Sequence, residues 1–219
     1  MLVRKRTFAF AAVALFILNG FVCRAALVPP SLTFSVLPVS KGEAVLLHTP
    51  DGRTYLINAG ADASVLRSLG SALPFWQRRL DALILTDATA GDVGGAQSVL
   101  ARYRVGEILR SGNQGSASLE TAVAHARTKS AALVRGERLL LSGGAYADVL
   151  SPPAESPAHP LILRIGYDAQ SVLVGSGGAG MADWERQADG TLPAPDLVIA
   201  STTAPGTYAF DGRRALRGK

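Results

Sequence analysis

The sequence predicts an α/β (α+β) fold: a four-layer αββα sandwich in which two β-sheets pack face to face and helices cover their outer sides. Three observations in the 219 residues predict it. The body opens with short strands joined by a hairpin turn, a middle stretch alternates helix with strand, and strands dominate again beyond Ala131. An opening hairpin argues against a single doubly wound parallel sheet. Strand runs on either side of an α/β middle argue for two sheets with helices outside.

The first 27 residues form a unit of their own. Arg4, Lys5 and Arg6 precede the apolar run "TFAFAAVALFILNGFVC", and Arg24 ends it. A basic start followed by an apolar core matches either a secretory signal that is removed or a single uncleaved anchor, since a spanning helix needs about 20 apolar residues. Either way the positive end stays inside, and the body is expected to be exported or membrane-anchored outside the cytoplasm.

After the "VPP" linker, "SLTFSVLPV" alternates, with Leu32, Phe34 and Val36 on one face. "AVLLHT" and "TYLIN" follow as strands, joined by "PDGR", whose proline, aspartate and glycine favour a tight turn. Val65, Leu66, Leu69 and Leu73 recur at helical spacing. "LDALILT" is almost wholly apolar, as a strand covered on both faces should be. A helix is predicted from Val93 to Tyr103, with Val93, Ala96, Leu100 and Tyr103 inward. "VGEILRSG" reads as a strand, and "SASLETAVAHART" as a helix burying Leu119, Ala122, Val123 and Ala126. Strands follow at "AALV", "RLLLS", "YADVLS", "LILRIGY" and "SVLVG", then a helix near "MADWERQA" and a last strand "DLVIAS". Residues 31–203 are therefore expected to form the folded domain and 204–219 a basic tail.

Composition removes several function classes. Hydrophobic residues make up 48% and charged residues 18%, a globular balance. The net charge of +5 is concentrated at the two ends, in Arg4 to Arg6 and in Arg213, Arg214, Arg217 and Lys219, so no uniformly basic groove is written in the composition. Cys23, in the leader, is the only cysteine, which excludes disulfides, thiolate zinc sites and a cysteine nucleophile from the body. His48, His125 and His159 share no motif.

The chemistry-bearing stretch is "ILTDATAGDVGG", Ile84 to Gly95: an apolar strand, a small-residue turn and a glycine pair opening a helix. Together with "LTFSVLPVSKGEAVLLHTPDGRTYLINAG", "LRSLGSALPFWQRRLDALILTDATAGDVGG" and "LARYRVGEIL" it resembles the metallo-β-lactamase-like domain at the C-terminus of ComEC competence proteins, over about Leu32 to Ala200. That resemblance implies an αββα fold and a metal-dependent hydrolase, proposed to act as a nuclease beside a channel that imports DNA. Its divalent metals, zinc or manganese, are held by a motif of the form L-T-H-P-H-A-D-H-x-G-G, where they lower the pKa of bound water.

The implied ligands are replaced. Asp87 and Thr89 stand for the first two histidines, Gly91 for the aspartate and Asp92 for the third histidine. Ser176 takes the place of a later acid, and Thr202 and Thr203 that of a histidine pair. "LPVSKGE" departs from the family's L-D-V-G-Q-G-D through Pro38 and Glu43, and "INAG" from I-D-A-G through Asn58. Leu85, Thr86, Gly60, Gly94 and Gly95 remain.

Framework positions are thus kept while metal donors are exchanged for groups that bind zinc poorly. The expectation is a non-catalytic domain with no cofactor, serving as a binding or scaffold module that partners DNA or a DNA-uptake membrane complex. The alternatives are a divergent metal-dependent nuclease or phosphodiesterase using Asp87 and Asp92, aided by Glu43, and a decayed, truncated gene product. Without metal, Asp87 and Asp92 are expected as solvated loop carboxylates, one capping the following helix.

Three further motifs are weaker. "GSGGAG", Gly175 to Gly180, matches a dinucleotide fingerprint but lacks the partner acid, and reads as a glycine turn. Ser176 lacks a nucleophile elbow. "LPFWQRRLD" pairs Trp76 with Arg78 and Arg79, which suits base stacking but reads first as a structural junction.

Overall fold

The computed structural model describes residues 15, 31–112, 116–151, 160–175, 195–199, 205–210 and 215–217. The chain divides into two units, Met1–Pro30 and Ser31–Lys219. Of the first only Leu15, which is helical, is described, so the leader expected at 1–27 otherwise lies outside the described residues. Among the described residues no helix is long and apolar enough to cross a membrane.

The second unit holds two sheets. The larger has eight strands: β1 (Leu32–Val36), β2 (Val45–His48), β3 (Thr54–Ile57), β4 (Arg79–Leu85), β5 (Arg104–Arg110), β6 (Lys129–Ala132), β12 (Gly206–Phe210) and β13 (Ala215–Arg217). Their order is β13-β12-β1-β2-β3-β4-β5-β6. The smaller sheet is built from β7 (Arg138–Ser142), β8 (Ala145–Ser151), β9 (Ile162–Tyr167), β10 (Gln170–Gly175) and β11 (Leu197–Ile199), in the order β11-β10-β9-β8-β7.

Pairing follows from the connections. A loop over residues 37–44 joins β1 to β2 and a tighter turn joins β2 to β3, both pairs antiparallel, whereas β3, β4, β5 and β6 are parallel and need helical crossovers. Those crossovers are α1 (Ser64–Ala72), then α2 (Ala90–Val93) with α3 (Ala96–Arg102), then α4 (Ala117–Ala126). Their buried residues Val65, Leu69, Val99, Leu119 and Val123 pack on Leu46, Leu56, Leu83, Leu85 and Ile108 of the large sheet. The other face of that sheet presents Phe34, Leu47, Ile57 and Ile84 to Ala147, Leu163, Ile165 and Val174 of the small one. Helices, large sheet and small sheet give three layers among the described residues. Ile162 and Leu173, on the outer side of the small sheet, are buried as well. The helix expected near "MADWERQA" lies outside the described residues.

Two expectations change. The helix predicted from Val93 to Tyr103 is two pieces, broken at Gly94 and Gly95. A Cβ on Gly94 would lie 2.0 Å from the Ala61 carbonyl oxygen, and one on Gly95 2.2 Å from that of Ala59. The backbone docks there on the neighbouring loop, Gly95 N–H donating to Gly60 O, and Val99, absent from the predicted stripe, joins the inward face. The tail expected at 204–219 supplies strands instead. β12 pairs antiparallel with β1, from Leu32↔Phe210 to Val36↔Gly206, and β13 pairs with β12. Phe210 is buried and meets Phe34 edge to face at 5.5 Å. A single short strand rich in Gly, Thr and Tyr carries too weak a period to be read from sequence alone.

Candidate functional site

The parallel run places the C-terminal ends of β3, β4 and β5 at one end of the sandwich, where open α/β sheets usually bind their ligands. Three loops meet there: the β1–β2 connection, the segment after β3 and the motif after β4. Backbone hydrogen bonds lace them together. Gly60 N–H donates to Glu43 O (2.9 Å), Ala61 N–H to Lys41 O (3.0 Å), Ala59 N–H to Asp92 O (2.7 Å) and Gly95 N–H to Gly60 O (2.9 Å). Gly42, at φ +78°, lies so close to the motif that a Cβ there would sit 1.7 Å from Gly91 O. The small sheet reaches the same end, because Leu161 N–H donates to Thr86 O at 2.6 Å and Gly175 pairs with Ile162.

Asn58 stands at the end of β3 in the left-handed region, φ +58°, which asparagine tolerates better than most residues. It is fully buried and clasps Thr86: its Oδ1 accepts from Thr86 N–H at 2.9 Å, and its Nδ2 donates to Thr86 Oγ1 at 2.8 Å. Asn58, where the resemblance puts an acid, therefore forms a neutral tie between the ends of two adjacent strands.

Asp92 departs from the solvated state expected of it. It is 7% exposed, and Thr89 Oγ1 donates to its Oδ2 at 3.0 Å across the first turn of α2. Two positions that the resemblance assigns to imidazoles are thus occupied by a threonine–aspartate hydrogen bond. Glu43 is 3% exposed, and neither of its carboxyl oxygens has a hydrogen-bond partner among the described residues. Burial, reinforced by the nearby charge of Asp92, pushes its pKa from 4.5 up to about 8, so the carboxyl is mainly protonated at neutral pH. Asp87 is half-buried, and its Oδ1 accepts from Ala88 N–H at 2.7 Å.

Asp87, Thr89, Gly91 and Asp92 are therefore together on one loop, with Glu43 close to Asp92. Ser176, Thr202 and Thr203 lie outside the described residues, as do His159 and the "GSGGAG" run beyond Gly175. His48 is half-buried beside Thr54, with burial lowering its pKa, and His125 is an exposed residue of α4. Among the described residues no three His, Cys, Asp or Glu side chains converge as a metal site. The donor set, one buried carboxyl that holds its proton, one carboxyl group already engaged by Thr89 and the half-buried Asp87, supplies no imidazole and does not fit a zinc pair. A hollow of about 750 Å³ opens nearby between the β1–β2 loop, α1 and the start of β12, but Glu43, Asp87 and Asp92 do not line it.

Sequence reasoning named Glu43 only as a helper and missed its burial; the signal was an acid between Gly42 and the apolar run "AVLL". It read "LPFWQRRLD" first as a structural junction and did not foresee that Phe75 and Trp76 are 80% and 71% exposed.

Solved structures share this architecture. A subclass B3 metallo-β-lactamase described as having an active-site glutamic acid superposes with a TM-score of 0.55 at 14% identity, over 90% of this chain and 87% of that one. A metallo-β-lactamase mutant from Cronobacter sakazakii gives 0.54 at 15% identity, over 77% and 76%. Zn²⁺-bound PqqB from Methylobacterium extorquens gives 0.50 at 13% identity, over 76% and 59%. No protein-family model matches the chain, and no curated protein matches it in sequence. The fold is the two-sheet sandwich of the metallo-β-lactamases. At these identities the likeness is one of fold alone.

Proposed function

We propose that this chain is a non-catalytic, ComEC-like member of the metallo-β-lactamase fold, exported or anchored by its leader, that serves as a binding or scaffold module at DNA uptake. One observation carries the non-catalytic part: Thr89 and Asp92, at positions where the resemblance puts imidazoles, satisfy each other beside a buried carboxyl that holds its proton. Such a pair offers a metal ion no imidazole, and the carboxyl beside it is buried and mainly protonated at neutral pH. The link to DNA uptake draws on the blocks that resemble ComEC over about Leu32 to Ala200.

Metal analysis of the purified full chain, with a nuclease and phosphodiesterase assay, tests this reading. The expected result is metal well below one equivalent and no hydrolysis. Stoichiometric zinc, manganese or iron together with hydrolysis abolished by Asp87→Ala would establish the hydrolase alternative. Restoring donors through Asp87→His, Thr89→His, Gly91→Asp, Asp92→His, Ser176→Asp and Thr202→His is expected to raise metal affinity. Position 91 has room for a side chain, since a Cβ there meets nothing nearer than Gly42 Cα at 3.7 Å. No gain in affinity would count against the alignment of these blocks.

A further inference from the structure

At the opposite end of the large sheet, a recess of about 360 Å³ lies between α1 and α3, lined by Leu66, Arg67, Gly70, Arg78, Arg102 and Tyr103. Half of that lining is arginine. None of the three guanidinium groups has a carboxylate within ion-pair distance among the described residues, whose ion pairs involve Arg79, Arg110 and Arg138. Asp62, the acid that feels Arg67, is engaged by Ser40 and Ser64. The sequence explains the excess: residues 63–80 and 93–106 hold Arg67, Arg78, Arg79, Arg102 and Arg104 and not one aspartate or glutamate. Arg78 lies over the ring of buried Tyr103, 5.8 Å from its centroid.

The connection that carries Arg78 also carries Phe75 and Trp76, packed edge to face at 4.8 Å and largely exposed. Exposed aromatic rings beside clustered, uncompensated guanidiniums combine the two elements that grip single-stranded nucleic acid: stacking surfaces for bases and forked donors for phosphates. A lipid surface would take up exposed aliphatic side chains as well as rings, but Phe75 and Trp76 are the only large apolar side chains exposed on this connection among the described residues.

We infer that this recess and the Phe75–Trp76 pair form a docking site for single-stranded nucleic acid, with phosphates on Arg67, Arg78 and Arg102 and a base stacked on Trp76. The inference deepens the proposed DNA-associated role and rests on it, while placing the contact away from the motif loop.

Fluorescence anisotropy of a labelled oligothymidylate with the full chain, in non-ionic detergent and across a salt series, tests it. All substituted side chains are exposed, and thermal melting is used to verify that each variant stays folded. Replacing Arg67, Arg78 and Arg102 by alanine is expected to weaken binding and to reduce the slope of log Kd against log salt by about 2. Trp76→Ala is expected to weaken binding roughly tenfold. Arg135→Ala, an exposed arginine elsewhere, is expected to change little.

Oligonucleotide binding that both the triple variant and Trp76→Ala leave intact overturns the site but not the DNA-associated role. Loss in the triple variant alone overturns the stacking assignment, and equal affinity for duplex overturns the single-strand assignment. No binding even at low salt overturns both the site and the role. Flotation with phosphatidylglycerol vesicles through the same residues, without oligonucleotide binding, assigns the surface to membrane and overturns the proposal.

Discussion

Replacing Glu43 by glutamine should nearly abolish the part of this protein's pH dependence that comes from its motif end. In the folded chain the carboxyl keeps its proton up to about pH 8, against 4.5 ordinarily. Unfolding between those values therefore releases a proton, and stability falls as pH rises. One pKa unit corresponds to about 1.4 kcal/mol, so the whole shift amounts to roughly 5 kcal/mol, of which roughly 3 is already lost at pH 7. Glutamine keeps the shape without the charge, and its buried amide adds a cost of about 1–3 kcal/mol that does not vary with pH. The quantity to follow is thus the difference between wild type and Glu43→Gln, measured by urea unfolding at intervals from pH 4 to pH 9. Other titrating groups cancel in that difference. Glu43→Gln should gain on the wild type steadily from pH 5 to pH 8 and level off above. A flat difference across that range would refute the reasoning, because it would mean that the carboxyl titrates alike in both states.

The other expectations concern the loops and the closing strand. Asn58→Ala should cost about 2–4 kcal/mol in chemical denaturation, from the lost buried hydrogen bonds to Thr86 and a left-handed φ that alanine resists. Gly42→Ala should destabilise by several kcal/mol or prevent folding, because its Cβ would collide with Gly91 O and its φ is positive, whereas Gly91→Ala should change the melting temperature by only a few degrees. Phe210→Ala should cost about 3–5 kcal/mol, as removing a buried aromatic does; a loss below 1 kcal/mol would show that β12 is not part of the core.

Much of the fold was legible because its periods are strong. The alternation at Leu32, Phe34 and Val36, the Val65–Leu69–Leu73 stripe and the apolar run of β4 each have one physical solution, and together they gave the two-sheet sandwich. The helical turn Ala90–Val93 ahead of the glycine pair was not legible. The pair reads as opening a helix, and only the approach of the Ala59 and Ala61 carbonyls reveals why neither glycine has room for a Cβ. β12 escaped because its stability comes from Phe34 and the edge of β1, far away in sequence. At the candidate site the residue types were legible and their environments were not. Asp92 and Glu43 looked like loop acids, yet three interlocking loops bury both, and such burial depends on backbone contacts that no single segment encodes.

The pairing of β1 with β12 sets an order of events for folding. Ser35 and Thr207, within hydrogen-bond distance at 3.2 Å, are separated by 172 positions. One side of β1 has no partner until residues 206–210 have left the ribosome. Closing so long a loop is slow, and a waiting strand edge is a template for aggregation. Chains whose synthesis has not yet reached Phe210 are therefore vulnerable to aggregation through that edge.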